Sequence, residues 1–159
     1  MDSILFVCTG NTCRSSMAEA LAKKILKELG IVDVSVSSAG IYASADDPAS
    51  DCAIAVGEEM GFQLSSHSAR VLTPELLEEN ELILTMTADH KNTILNLLPI
   101  NNQKVFTLKE YVAGKDMPFN VNVQDPFGGN MEMYRLTARE LEVLVKKAVL
   151  KFTGNEAGF

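Results

Sequence analysis

The sequence predicts an α/β fold, a single domain in which a four-stranded parallel sheet lies between two layers of helices. The apolar run SILFVC, residues 3–8, has the length of a strand and does not alternate, as in parallel strands covered on both faces. Strand and helix patterns then alternate to the end of the chain. With 159 residues, 47% of them hydrophobic, the chain suits one domain with its own core, expected to span residues 1–159.

The first half of the chain is predicted to form a βαβ unit followed by a helix. A helix over about 15–29, closed by Gly30, carries apolar side chains at every fourth position: Met17, Leu21, Ile25 and Leu29. Valines alternate with polar residues in a second strand over 32–40. The pair Asp-Pro at the start of 47–60 resembles an N-cap followed by proline, and predicts a helix that Gly61 ends.

The second half continues the alternation. Thr73 and Pro74 open a short helix by the same signals, and residues 82–86 form a third strand. A helix over 88–98 stops near Pro99, and residues 105–107 form a short fourth strand.

A long loop and a long helix close the sequence. Residues 114–129 lose periodicity and contain two prolines and a glycine pair, so the loop exceeds what a connection needs and is expected to be functional. A final helix over 131–152 is expected to pack across the sheet through one apolar stripe. The stripe consists of Leu136, Leu141, Leu144, Val145, Ala148 and Val149.

Composition narrows the compartment and the partners. No apolar run approaches the roughly 18 residues of a membrane span, and the N-terminus lacks the features of a signal peptide. Three cysteines fit neither a disulfide framework nor paired metal knuckles, which favours the reducing cytoplasm. A net charge of −7 argues against nucleic acid. We expect a cytoplasmic monomer without a membrane partner.

The loop after the first strand carries the main chemical signal. Cys8 ends the strand and Arg14 lies six residues on, so the backbone between them must curl, and Gly10 and Asn11 tolerate left-handed geometry. Such a loop at a helix N-terminus points several N–H groups at one oxyanion, which Arg14 can grip with two nitrogens. The same positive field favours the thiolate of Cys8, a nucleophile beneath a bound phosphate. The loop residues are Thr9, Gly10, Asn11, Thr12, Cys13 and Ser15.

Other interpretations of these residues are weaker. Cys8 could be only a buried cysteine at a strand end, with Arg14 on the surface. Zinc binding by Cys8 and Cys13 would need two further ligands, for which the sequence offers only Cys52 and two histidines. We therefore expect no metal and no cofactor.

The stretch VCTGNTCRSSMAEA resembles the signature of the low-molecular-weight protein tyrosine phosphatase family, and the order of elements agrees over nearly the whole chain. The resemblance implies a sheet in the order 2-1-3-4 and a phosphorylated protein as substrate, with inorganic phosphate as product. It also implies that Asp125, in an Asp-Pro pair of the late loop, is the general acid and base. Asn11, Ser38 and His67 match residues that brace the loop, and Ser15 matches the hydroxyl that hydrogen-bonds the nucleophile.

Two features are similar to the bacterial protein-arginine phosphatase branch of that family: Thr12, and DPFGG at 125–129. A short hydroxyl and a nearby carboxylate suit a planar, cationic phosphoguanidinium group better than an apolar wall does. Phe127 and Tyr42 could flank that group. We therefore predict a phosphoarginine phosphatase that works through a cysteinyl-phosphate, with a phosphotyrosine phosphatase as the alternative.

The loop also suggests a redox role for Cys13, and two alternative functions were considered. Cys13 would lie beside Cys8, so a reversible disulfide could shield the nucleophile from over-oxidation. An arsenate reductase usually needs a later cysteine pair, whereas only Cys52 follows. A module that binds phosphate without turnover would not need Cys8 and Asp125 together with the arginine.

Overall fold

A computed structural model describes residues 2–97 and 103–155. This part of the chain forms four strands and six helices, and each strand is followed by one or two helices. In chain order they are β1 (Asp2–Cys8), α1 (Arg14–Glu28), β2 (Val34–Gly40), α2 (Asp51–Met60), α3 (Pro74–Glu79), β3 (Leu82–Thr85), α4 (Ala88–Leu97), β4 (Val105–Thr107), α5 (Leu108–Ala113) and α6 (Met131–Phe152).

The four strands form one parallel sheet in the order β2-β1-β3-β4, which confirms the predicted order. In register, Cys8 pairs with Gly40 of β2, and Val7 pairs with Thr85 of β3. Parallel strands end at the same edge of a sheet, so the loops after β1, β2 and β3 meet there. The predicted phosphate-binding loop, which follows β1, therefore begins at the centre of that edge. It is called the candidate loop below.

Strand β1 supplies side chains to both faces of the sheet. Ile4 and Phe6 lie in an apolar cluster with α1, α2 and α6, while Leu5 and Val7 lie in a second cluster with α3 and α4. All four side chains are fully buried. Because successive strand residues face opposite ways, burial on both faces demands the uninterrupted apolar run seen in the sequence.

Two element starts differ from the prediction. Val32 lies before β2 and is 89% exposed, so the second strand begins at Val34. Helix α2 begins at Asp51, because Ser50 is its N-cap and accepts a hydrogen bond from the Ala53 amide. The amide of Ser50 donates to the Thr12 carbonyl at 3.0 Å. This bond ties the start of the helix to the candidate loop, so residues 47–50 stay outside the helix.

The second half differs in smaller ways. Strand β3 ends at Thr85, and Leu136 of the predicted α6 stripe is 57% exposed. Helix α5 was not predicted, although a capping box formed by Thr107 and Glu110 signals its start. The predicted stop of α4 near Pro99 lies outside the described residues.

The longest described helix, α6, has 22 residues but is amphipathic. Among residues 2–97 and 103–155, no helix combines the length and apolar character needed to cross a bilayer.

Candidate active site

The loop between β1 and α1 forms one wall of a cavity of about 190 Å³. Cys8 ends β1 and is 3% exposed, and Arg14 begins α1 and is 5% exposed. The cavity is lined by Cys8, Thr9, Gly10, Thr12, Cys13, Arg14, Asp125 and Phe127. The fold thus brings a cysteine, an arginine and a carboxylate, far apart in sequence, to one small cavity.

Asn11 is the conformational centre of the loop. Its φ is +60° and its side chain is fully buried. The backbone N–H of Arg70 donates to Asn11 Oδ1 at 2.9 Å, which fixes the orientation of the amide. Asn11 Nδ2 therefore donates to Ser15 Oγ at 2.9 Å and to Ser38 Oγ at 2.8 Å. His67 Nε2 donates to the Asn11 carbonyl at 2.6 Å, so the structure brings both predicted bracing residues, Ser38 and His67, to the loop.

The direction of these bonds determines what Ser15 can offer Cys8. Because Asn11 Nδ2 donates to Ser15 Oγ, the hydroxyl hydrogen of Ser15 is free for another acceptor. Cys8 Sγ lies 2.8 Å from Ser15 Oγ. The Ser15 hydroxyl can therefore donate a hydrogen bond to the Cys8 sulfur.

The glycine that the loop requires is not the one predicted. Among the loop residues only Asn11 has a positive φ, and a Cβ on Gly10 would meet just Thr12 Oγ1 at an ordinary 3.7 Å. A Cβ on Gly40, in β2, would lie 2.6 Å from the Thr9 carbonyl oxygen and 2.9 Å from the Asn11 nitrogen. Sequence analysis missed Gly40, because its role appears only once the two strands are paired.

The late loop brings Asp125 to the arginine. Arg14 Nη1 donates to the Val123 carbonyl at 3.1 Å, and Arg14 Nη2 lies 3.3 Å from Asp125 Oδ2. The other carboxylate oxygen of Asp125 accepts from the Phe127 amide at 3.1 Å. The Arg14 side chain is 6% exposed and that of Asp125 is 48% exposed, so the carboxylate faces the open side of the cavity. It can reach a group that enters from solvent.

Comparisons with known proteins identify the family of this chain. The model of the low molecular weight phosphotyrosine protein phosphatase family matches residues 3–155. The chain belongs to that family. A protein-arginine-phosphatase of Bacillus subtilis (strain 168) is 45% identical over 144 residues, which cover 91% of this chain and 92% of the relative. One from Geobacillus stearothermophilus is 40% identical, with coverage of 93% and 94%.

A solved structure is similar over nearly its whole length. It is a cysteine-to-serine mutant of the YwlE arginine phosphatase with a phosphorylated active-site serine, 41% identical to this chain. The TM-score is 0.88, and the match covers 98% of each chain. The fold of this family member is therefore that of the low-molecular-weight phosphatases.

Two aromatic residues were expected to flank the substrate, and the structure places only one of them in the lining of the cavity. Phe127 is 75% exposed and lines the cavity rim. Tyr42 is 78% exposed and is not among the lining residues, although its amide donates to the Thr9 carbonyl at 2.9 Å. Thr12 does lie in the cavity wall.

Cys13 lines the same cavity, and its sulfur has hydrogen-bond partners on two other segments. Its sulfur lies 3.3 Å from Tyr134 Oη and 3.5 Å from Ser50 Oγ. Burial, and next the bond to Cys13, raise the pKa of Tyr134 to about 12. Neither Ser50 nor Tyr134 was singled out from the sequence, because only folding brings α2 and α6 to the loop.

His90 is another residue that sequence analysis missed. Its Nε2 lies 2.9 Å from Thr9 Oγ1, and its Nδ1 is buried without a hydrogen-bond partner among the described residues. Burial is the main cause that lowers the pKa of His90 to about 4, and the charge of Arg14 adds to it. At neutral pH, the loop between β1 and α1 therefore lies beside the neutral imidazole of His90.

Within the described residues, no group of three or more His, Cys, Asp or Glu side chains is arranged to hold a metal ion.

Proposed function

We propose that this protein is a cysteine-dependent protein phosphatase that removes phosphate from phosphoarginine. The observation that carries the proposal is the convergence of Cys8, Arg14 and Asp125 on one cavity of about 190 Å³. The loop backbone and Arg14 would hold three phosphate oxygens, which leaves the fourth substituent of phosphorus pointing out of the cavity toward Asp125.

The reaction then takes two steps. The Cys8 thiolate attacks phosphorus, the bond to the guanidinium nitrogen breaks, and Asp125 delivers a proton to that nitrogen. Asp125 next takes a proton from water, which attacks the cysteinyl-phosphate and releases inorganic phosphate. The hydrogen bond from Ser15 stabilises the departing thiolate of Cys8. As written, both steps use only side chains of this chain and water.

Three observations favour phosphoarginine over phosphotyrosine. The hydroxyl-bearing Thr12 stands in the cavity wall, the carboxylate of Asp125 faces the place where a cationic guanidinium would leave, and the two relatives described above are protein-arginine phosphatases. The family description and the apolar ring of Phe127 at the rim support phosphotyrosine as the alternative.

The deciding experiment compares kcat/KM for matched phosphoarginine and phosphotyrosine peptides. We expect the wild-type protein to prefer phosphoarginine, and Thr12→Ile to shift the preference toward phosphotyrosine, because the added methyl groups replace a hydroxyl in the wall. Unchanged relative values in Thr12→Ile would contradict the specificity assignment. Cys8→Ser should abolish turnover of both peptides.

Two competing functions are tested with the same preparation. Turnover of para-nitrophenyl phosphate would exclude a module that only binds phosphate. Arsenate reduction would require a disulfide relay, and among the described cysteines only Cys8, Cys13 and the half-buried Cys52 are available, all as free thiols.

We further propose that the protein acts as a single-domain monomer in the cytoplasm on phosphorylated proteins, with no role for nucleic acid or membrane. Its three free cysteines and net charge of −7 support this assignment. We also propose that Cys13 can form a reversible disulfide with Cys8. Peroxide inactivation that dithiothreitol fails to reverse would contradict the disulfide.

A further inference from the structure

Three side chains from three elements form a closed triangle behind the catalytic loop. Cys13 Sγ lies 3.5 Å from Ser50 Oγ and 3.3 Å from Tyr134 Oη, and Ser50 Oγ lies 3.3 Å from Tyr134 Oη. Cys13 precedes α1, Ser50 caps α2 and Tyr134 belongs to α6. Cys13 and Tyr134 are nearly fully buried, at 5% and 3% exposed.

The thiol and the two hydroxyl groups can form a ring of hydrogen bonds that all run in the same direction. The Cys13 thiol donates to Ser50 Oγ, and the Ser50 hydroxyl donates to Tyr134 Oη. The remaining hydrogen, on Tyr134, then points to Cys13 Sγ, so within the triangle each member donates one hydrogen bond and accepts one. With its pKa raised to about 12, chiefly by burial, the Tyr134 hydroxyl keeps that hydrogen at neutral pH.

The triangle makes Cys13 a poor partner for Cys8 even though both line one cavity. The Cys13 thiol must give up its hydrogen bond to Ser50 before its sulfur can attack another sulfur. The bond from Tyr134 also holds the Cys13 sulfur toward α6. In this arrangement the Cys13 sulfur is held by Ser50 and Tyr134.

We propose that Tyr134 is a positioning residue that holds the Cys13 thiol away from Cys8 until Cys8 is oxidised. The inference rests on the proposed role of Cys8 as the nucleophile and deepens it. Hydrogen peroxide first oxidises the Cys8 thiolate to a sulfenic acid and is itself reduced to hydroxide, which takes a proton from solvent to become water. Cys13 sulfur then leaves the triangle and attacks Cys8 sulfur, an S–S bond forms, the S–O bond breaks, and hydroxide takes up the thiol proton as water.

The test measures how oxidised Cys8 partitions between the disulfide and the sulfinic acid. Protein is treated with excess hydrogen peroxide, and site-resolved mass spectrometry gives the ratio of the Cys8–Cys13 disulfide to Cys8 sulfinic acid. We expect Tyr134→Phe to raise this ratio about five-fold, because one ordinary hydrogen bond no longer holds Cys13 while the ring still packs. Tyr111→Phe, which removes a tyrosine hydroxyl from α5, is the matched control and should leave the ratio unchanged.

A second variant keeps the test decisive if Tyr134→Phe folds poorly. Ser50→Ala removes the acceptor of the Cys13 hydrogen but keeps the backbone amide that bonds Thr12, and it should raise the ratio in the same direction. An unchanged ratio in the folded variants would overturn the proposal. A lower ratio would also overturn it, because Tyr134 would then activate Cys13.

The readout is a mass ratio at Cys8 and does not depend on turnover. If Cys8→Ser retains phosphatase activity, the proposed function fails, whatever the ratio does. If Cys8→Ser is inactive and the ratio in Tyr134→Phe equals that of the wild type, only the role of Tyr134 fails.

Discussion

Substitution of Gly40 by alanine tests whether β2 shapes the catalytic loop. The new methyl carbon would lie 2.6 Å from the Thr9 carbonyl oxygen and 2.9 Å from both the Asn11 nitrogen and the Gly10 carbonyl carbon. All three are backbone atoms, so no side chain can turn aside. Relief to an ordinary contact of 3.4 Å requires the loop or the strand to move by about 0.8 Å. Overpacking of this kind costs about 1–3 kcal/mol of folding free energy.

The shift should affect catalysis more than stability, because the displaced atoms belong to the loop that we propose holds phosphate. A misplacement near 1 Å costs on the order of 100-fold in rate, so we expect Gly40→Ala to lose about 100-fold in kcat/KM for para-nitrophenyl phosphate. Its Tm should fall by roughly 2–4 °C for each kcal/mol lost.

The assay combines steady-state kinetics with thermal unfolding of the same preparations. Ser35→Ala changes an exposed residue of the same strand and should match the wild type in both measurements. Gly10→Ala should lose less activity than Gly40→Ala, because its methyl group would meet only a side-chain oxygen at 3.7 Å. Near wild-type Tm and turnover in Gly40→Ala would refute the reasoning.

Two further predictions address the acid and the buried histidine. Asp125→Asn should lower kcat for phosphopeptides by about 10²–10⁴-fold, since no group would protonate the leaving atom. The control is Asp116→Asn, in the same loop, which should keep the wild-type kcat. Equal kcat values for the two variants would contradict the assignment of Asp125 as the general acid. The pKa of His90 is lowered from 6.5 to about 4, so the unfolded chain gains its proton at a higher pH than the folded one, and stability falls as the pH drops from 6.5 toward 4. In urea unfolding, His90→Asn should therefore lose less stability than the wild type between pH 7 and pH 4.5, and parallel losses would show that His90 does not titrate as described.

The fold was largely predictable because its signals are local. The apolar run of β1, the proline after Thr73 and the left-handed glycine after α2 each act within a few residues of where they stand in the sequence. Where a local signal predicted the wrong boundary of a helix, a contact with a distant segment sets that boundary instead. The start of α2 moved to Asp51 because Ser50 bonds the catalytic loop, a contact that no pattern in residues 47–60 encodes.

The sequence by itself predicts the chemistry proposed for the loop, since the types and spacing of Cys8 and Arg14 suffice to predict a phosphate cradle with a thiolate beneath it. The role of Ser15 was predicted from the family resemblance. The late carboxylate was found by its resemblance to a family, because an Asp-Pro pair alone predicts only a turn. Tertiary structure decided what holds that cradle: Gly40 through strand pairing, Arg70 through its backbone amide, and Tyr134 through helix packing. These residues act through contacts that close only when segments from 30 to more than 100 residues away meet the loop. The spacing of residues along the sequence does not predict such contacts.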